Sequence, residues 1–156
     1  MSKEEIYRPN VAMIIVSCEY PQKKDVFIAQ RNDLTDIWQF PQGGIDEGEE
    51  VQEALFREME EEIGTDSAQI LAEYPEWISY DFPPKIAKSM KPYKGQTQKY
   101  FLLKLGKDAK INLQTKHPEF INYKFVSVED ILDFTPHFKQ PVYEKVIHYF
   151  RKEGLL

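Results

Sequence analysis

The chain has 156 residues, 42% hydrophobic and 13% aromatic, enough for one core and a single domain over residues 1–156. It has no run of 18 apolar residues, no signal-peptide core in Met1–Glu5 and a single cysteine, Cys18. The expectation is a cytoplasmic monomer with no membrane span and no internal disulfide. A net charge of −6 argues against broad, salt-driven binding along a nucleic-acid backbone, DNA included.

Taken in chain order, Val11 to Val16 reads as a buried strand, and Asp25 to Arg31 as its hairpin partner with Pro21 in the turn. Residues 49 to 63 carry Val51, Leu55, Met59 and Ile63 at four-residue spacing, an apolar helical stripe that Gly64 terminates. Residues 69 to 80 alternate in part, with an interruption at Pro75, as in an edge or bulged strand. Pro83 to Gly95 has no regular pattern and reads as an irregular loop or lid. Tyr100–Leu105 and Tyr123–Val128 complete a mixed sheet. Ser127-x-x-Asp130 has the form of a cap on a short helix through Phe134. A last helix runs from Pro141 to Lys152, with Val142, Val146 and Phe150 on one face. Helices before and after a mixed sheet predict an α/β/α sandwich.

Charge is unevenly spread along the chain. Asp46 to Glu62 holds nine acids and one base, whereas Phe82 to Lys107 holds seven lysines and no acid. In the helix, Glu58, Glu61 and Glu62 stand at i, i+3 and i+4, so they leave one face within one turn. Like charges at that spacing cost about 0.2–0.5 kcal/mol per pair. The last turn of a helix also disfavours anions. A bound hard divalent cation reverses both penalties. A ligand set of oxygens, with no Cys or His nearby, points to Mg2+ or Mn2+.

The full spacing is Gly43-x5-Glu49-x7-Arg57-Glu58-Met59-x-Glu61-Glu62-x-Gly64-Thr65. It resembles the Nudix box, the signature of hydrolases that cleave a nucleoside diphosphate linked to another group. The one departure is Thr65, where the family prefers an aliphatic residue. The resemblance implies the Nudix α/β/α sandwich and a divalent metal held by Glu58, Glu61 and Glu62. Arg57 then pairs with Glu49 and counts with the catalytic residues. Gly43 and Gly44 are expected to take backbone angles closed to other residues and to bring their loop, Gly43 included, to the metal.

Segments outside the box narrow the subfamily. Tyr7-Arg8-Pro9-Asn10-Val11, Trp38-Gln39-Phe40-Pro41-Gln42-Gly43-Gly44, Gly95-Gln96-x-Gln98-Lys99-Tyr100, Pro118-Glu119-Phe120 and Phe138-Lys139-x-x-Val142-Tyr143 are similar to the bacterial RNA 5′-pyrophosphohydrolases and the related dinucleoside polyphosphate hydrolases. By that resemblance Glu119 is a further metal ligand or the general base, and Arg8, Arg31 and Lys139 contact phosphates. Phe138 stacks on a base, Gln96 hydrogen-bonds near the nucleotide, and Tyr80 is a further substrate contact. The implied substrates are the 5′ end of RNA and diadenosine polyphosphates. Two other readings stand beside this one: a dedicated dinucleoside polyphosphate hydrolase, and a non-catalytic nucleotide-sensing domain. Sensing domains typically lose box glutamates, and none is lost here.

Overall fold

Two long parallel strands set the frame. The computed structural model describes residues 6–33, 36–135 and 137–156, so Met1–Glu5 lies outside the described residues. β1 (Tyr7–Val16) and β7 (Gly95–Leu105) pair in register from Tyr7↔Gly95 to Val16↔Lys104. Val11, Met13, Ile15, Phe101 and Leu103 point to one face, and Ala12, Ile14, Val16, Tyr100 and Leu102 to the other. Strands covered on both faces read as continuous apolar runs, so periodicity located them only by their apolar halves. Their polar first halves, Tyr7–Asn10 and Gly95–Lys99, become strand because each satisfies the other's backbone groups.

A helix covers each face, which gives the expected α/β/α sandwich. α1 (Val51–Ile63) lays Leu55, Met59 and Ile63 against Val11, Met13 and Ile15. Each of these side chains contributes roughly 1.5–3 kcal/mol by leaving water. The helix ends at Gly64 in the left-handed region (φ 80°), whose N–H donates to the Glu60 carbonyl. On the other face, the carboxy-terminal helix α3 (Gln140–Lys152) buries Val142, Val146, Ile147 and Phe150.

The remaining strands complete a mixed sheet of order β3-β2-β1-β7-β5. β2 is Val26–Arg31, β3 Trp38–Gln39, and β5 Ala68–Glu73. β4 (Gln42–Gly44) pairs with β1, β6 (Ile78–Asp81) with β7, and β8 (Phe120–Val126) with β2. β3 and β4 are two and three residues long, too short for an alternation signal.

Three local expectations are corrected. Residues 69 to 80 are two strands, separated around Pro75, with the bulge between Ile70 and Ala72. The segment from Pro83 to Gly95 contains a short helix, α2 (Pro84–Ser89). Pro84 opens it at a position where a missing N–H costs nothing, and six residues cannot build a repeating stripe. Ser127 caps no helix. Its Oγ accepts from the Glu129 N–H at 3.3 Å in a local turn, and the helix that follows is a 3-10 turn, Ile131–Asp133. Thr65 makes the same kind of turn by accepting from the Ser67 N–H at 3.1 Å.

Candidate active site

Ala54, Glu58 and Glu62 lie four residues apart and continue the buried face of α1 toward the end of the sheet where β4 sits. Both carboxylates are therefore drawn into the protein: Glu58 is 9% exposed and Glu62 6%. Glu61 projects outward. Burial pushes the Glu58 carboxyl up to about 6, against the opposing pull of Arg57. Burial, then the charge of Glu119, holds the Glu62 proton to a pH well above the usual carboxylate range. Glu62 Oε2 has no hydrogen-bond partner among the described residues.

The glycine pair has a different reason from the one expected. Gly43 and Gly44 lie in β4, and neither has a left-handed φ. What they supply is room. A Cβ on Gly43 would fall 1.9 Å from Glu58 Oε2, and one on Gly44 would fall 2.5 Å from Arg8 Nη2. The missing side chains let an anion and a cation approach the same strand from two directions.

Arg57 ties the loop before α1 to the helix. Its Nε and Nη2 donate to Glu49 Oε2 and Oε1 at 2.6 and 2.8 Å, a bidentate fork. Nη2 also reaches the Gly44 carbonyl at 2.9 Å, and Nη1 reaches Glu58 Oε1 at 2.9 Å and Glu61 Oε2 at 3.1 Å. The fork and the Asp46 N–H hold the Glu49 carboxyl down, at about 2. Arg57 thus occupies one oxygen of Glu58 and leaves Glu58 Oε2 beside Gly43.

Glu58, Glu61, Glu62 and Glu119 line one cleft of about 1030 Å³ together with Arg8, Arg31 and Gln96. Glu119 arrives on the loop before β8. Asn32 anchors that loop, its N–H donating to the Glu119 carbonyl at 2.9 Å and its Nδ2 to the Pro118 carbonyl at 2.7 Å. Arg31 is forked onto Asp33 at 2.7 and 2.6 Å, a partner not singled out in the sequence. Arg8 lies over Gly44 with no ion pair among the described residues.

Tyr80, Phe138 and Lys139 do not line this cleft. Lys139, 4% exposed, donates to Gln42 Oε1 at 3.1 Å, and burial lowers its pKa to about 7. Gln42 Oε1 also accepts from Gln98 Nε2 at 2.9 Å, so the Gln42 amide donates to Gln96 Oε1 at 3.1 Å. Gln96 Oε1 accepts a second bond from the Tyr80 hydroxyl at 2.5 Å. While protonated, the Lys139 ammonium has donors only, and in that form it fixes the direction of this relay. The Gln96 carbonyl is used behind the cleft, and its NH2 is left for the cleft. Phe138 is half-buried, with its ring 5.9 Å from Tyr80.

A family model described as NUDIX domain matches residues 6–150. The chain belongs to the Nudix family. An RNA pyrophosphohydrolase of a Nitratiruptor species is 63% identical over 148 residues, covering 95% of this chain and 96% of its own. One from Campylobacter jejuni is 59% identical over 156 residues, all of both chains. Among solved structures, the E. coli dihydroneopterin triphosphate pyrophosphohydrolase superposes with a TM-score of 0.69 at 21% identity. That alignment covers 92% of this chain and 99% of that one, a likeness of fold.

Nudix hydrolases work with divalent metal ions. The residues present suit such an ion: Glu58 and Glu62 are buried among the residues that line the cleft, and one Glu62 oxygen has no hydrogen-bond partner among the described residues. Among the described residues, no three acidic, His or Cys side chains are already gathered into a cation cage. Arg57 holds one oxygen each of Glu58 and Glu61. Besides Asp33, the sequence reading left Asn10, Gln42 and Gln98 of this Nudix site without roles. Gln96, Gln98 and Tyr100 at two-residue spacing inside an apolar strand were the available signal.

Proposed function

We propose that this Nudix hydrolase removes pyrophosphate, or phosphates in sequence, from the 5′-triphosphate or diphosphate end of RNA in the cytoplasm, leaving a 5′-monophosphate. Diadenosine polyphosphates are its second substrates. The carrying observation is that the acidic wall of Glu58, Glu62 and Glu119 and the basic groups Arg8 and Arg31 share one cleft. Whole-length identity to proteins named RNA pyrophosphohydrolase supports RNA as the main substrate.

The metal is Mg2+, with Mn2+ as a substitute, and Glu58, Glu61, Glu62, Glu119 and Gly43 are the groups to hold it. When bound, such an ion screens phosphate charge and lowers the pKa of a water. Arg8 and Arg31 fix phosphate oxygens, Arg31 by sharing its fork with Asp33. Gln96 offers its NH2 to an acceptor on the nucleotide, and Phe138, half-buried beside the cleft residues, stacks on a base. Glu58 or Glu119 takes the proton from the attacking water. The water oxygen bonds to phosphorus, the anhydride P–O bond opposite breaks, and the distal phosphates leave with the electron pair. Tyr80 and Lys139 act from behind by orienting Gln96 and Gln42.

The test incubates purified protein and magnesium with a short 5′-triphosphate RNA and, in parallel, with diadenosine tetraphosphate, using Glu62→Gln as the blank. Faster conversion of the RNA to a 5′-monophosphate supports the reading. Cleavage of the dinucleotide alone makes this a dinucleoside polyphosphate hydrolase. No metal-dependent hydrolysis of either overturns the proposal.

A further inference from the structure

The site described above ends at the 5′-terminal phosphates and one nucleotide, yet an RNA substrate continues beyond them. The strongest charge feature that the site leaves unused is the segment between β6 and β7. It carries α2, with Lys85 and Lys88 one turn apart, and continues through Met90 to Lys91. Residues three apart on a helix share a face, with about 5–6 Å between their Cβ atoms. Lys85, Lys88 and Lys91 are all exposed. None forms an ion pair among the described residues. In a chain of net charge −6, Phe82 to Lys107 contains no acid at all.

Geometry brings this segment to the cleft. Its neck is closed by the Phe82 N–H donating to the Lys94 carbonyl at 2.7 Å, and the Lys94 N–H donates to the Ile6 carbonyl at 2.9 Å. Lys94 itself is engaged, with its Nζ 5.1 Å from the centre of the Tyr7 ring. The loop is therefore pinned beside Arg8 and Gln96 at the start of β1 and β7. Met90, between Lys88 and Lys91 in sequence, lines the cleft with Arg8 and Gln96. Three exposed ammonium groups thus stand in sequence on either side of a residue that touches the substrate site.

We propose that the α2 loop is the track for the RNA chain downstream of its 5′ end, with Lys85, Lys88 and Lys91 neutralising backbone phosphates of the following nucleotides. This rests on the RNA-end reading above. A dinucleoside polyphosphate has no phosphodiester backbone beyond the cleft and gains nothing from these lysines. The segment thus raises preference for RNA over a dinucleotide without any base contact.

The test compares wild type with the triple variant Lys85→Gln, Lys88→Gln, Lys91→Gln on two substrates, a 5′-triphosphate RNA of about a dozen nucleotides and diadenosine tetraphosphate. Each is assayed from about 50 to 200 mM salt. Single-stranded nucleic acid releases about 0.7 counterion per phosphate neutralised, so the log–log salt slope for the RNA kcat/KM should fall by about 2. RNA kcat/KM at low salt should drop about tenfold or more through KM, while the dinucleotide rate changes less than about twofold. Arginine at the three positions should restore the RNA slope. A control variant removes the same charge at Lys23, Lys24 and Lys107. These lie beyond the Val16 and Leu105 ends of β1 and β7, away from the cleft, and the control should keep the wild-type slope.

Equal losses on both substrates would mean that the loop only shapes the cleft, and unchanged RNA kinetics would mean that the lysines are merely solvated; either overturns the proposal. Wild type that cleaves only the dinucleotide overturns the RNA-end reading itself, a failure visible before any lysine is changed.

Discussion

Replacing Glu62 with Gln should stabilise the metal-free protein while abolishing its activity. In the fold, burial and the neighbouring Glu119 keep the Glu62 proton on to well above neutral pH, whereas the unfolded chain loses it near about pH 4.3. The folded state then binds more protons than the unfolded one, so this group makes stability fall as pH rises from about 4.5 into the neutral range. Each pH unit in that window costs about 1.4 kcal/mol. Gln has the same shape and no proton to lose, and its NH2 remains a donor beside Glu119 at any pH. The advantage of Glu62→Gln should therefore widen between about pH 5.5 and 7.5 by about 1–3 kcal/mol, the upper figure being the full linkage over two units. Urea unfolding at both pH values, with EDTA present and Trp38 and Trp77 as fluorophores, measures it. Excess magnesium at the higher pH should narrow the gap, because only the wild type keeps the full ligand set. A variant no more stable than wild type at the higher pH in EDTA, or a gap that does not widen, would refute the claim that burial and Glu119 keep Glu62 protonated in the fold.

Other outcomes follow from the same geometry. Gly43→Ala should fold, since the backbone angle is ordinary, but the new Cβ overlaps Glu58 Oε2 and should lower kcat roughly 100-fold; circular dichroism alongside turnover checks both halves. Arg57→Lys keeps the charge and loses the fork on Glu49, so kcat should drop about 100-fold while KM stays within a few-fold, measured by steady-state kinetics. Lys139 should reveal itself at alkaline pH. Its proton leaves near pH 7 in the fold and near about 10.4 in the unfolded chain, so its contribution makes wild type gain stability as pH rises through that window. Any advantage of Lys139→Met should accordingly shrink by about 1.4 kcal/mol per unit from about pH 7 upward, and a pH-independent difference in urea midpoints would exclude the buried ammonium.

Much of this protein was already written in local sequence. The four-residue stripe of Val51, Leu55, Met59 and Ile63, stopped by Gly64, fixes α1 and with it the rows on which Glu58, Glu61 and Glu62 stand, because helical periodicity is a property of consecutive residues. The apolar halves of β1 and β7 and the amphipathic α3 were legible for the same reason, and the box spacing alone pointed to the reaction class. Tertiary structure decided what consecutive residues cannot encode. Whether Glu61 or Glu62 is buried depends on which way α1 is rolled against β1. Gly43 is glycine because of Glu58, distant in sequence and on another element, and not because of its own backbone angle. Lys139 reads locally as a phosphate-binding cation, but the packing of α3 seals it behind Gln42, and it becomes the anchor of an amide relay. Local pattern sets the elements and the chemistry each carries; burial and partnership, which set pKa values and roles, arise only when distant segments exclude water from one another.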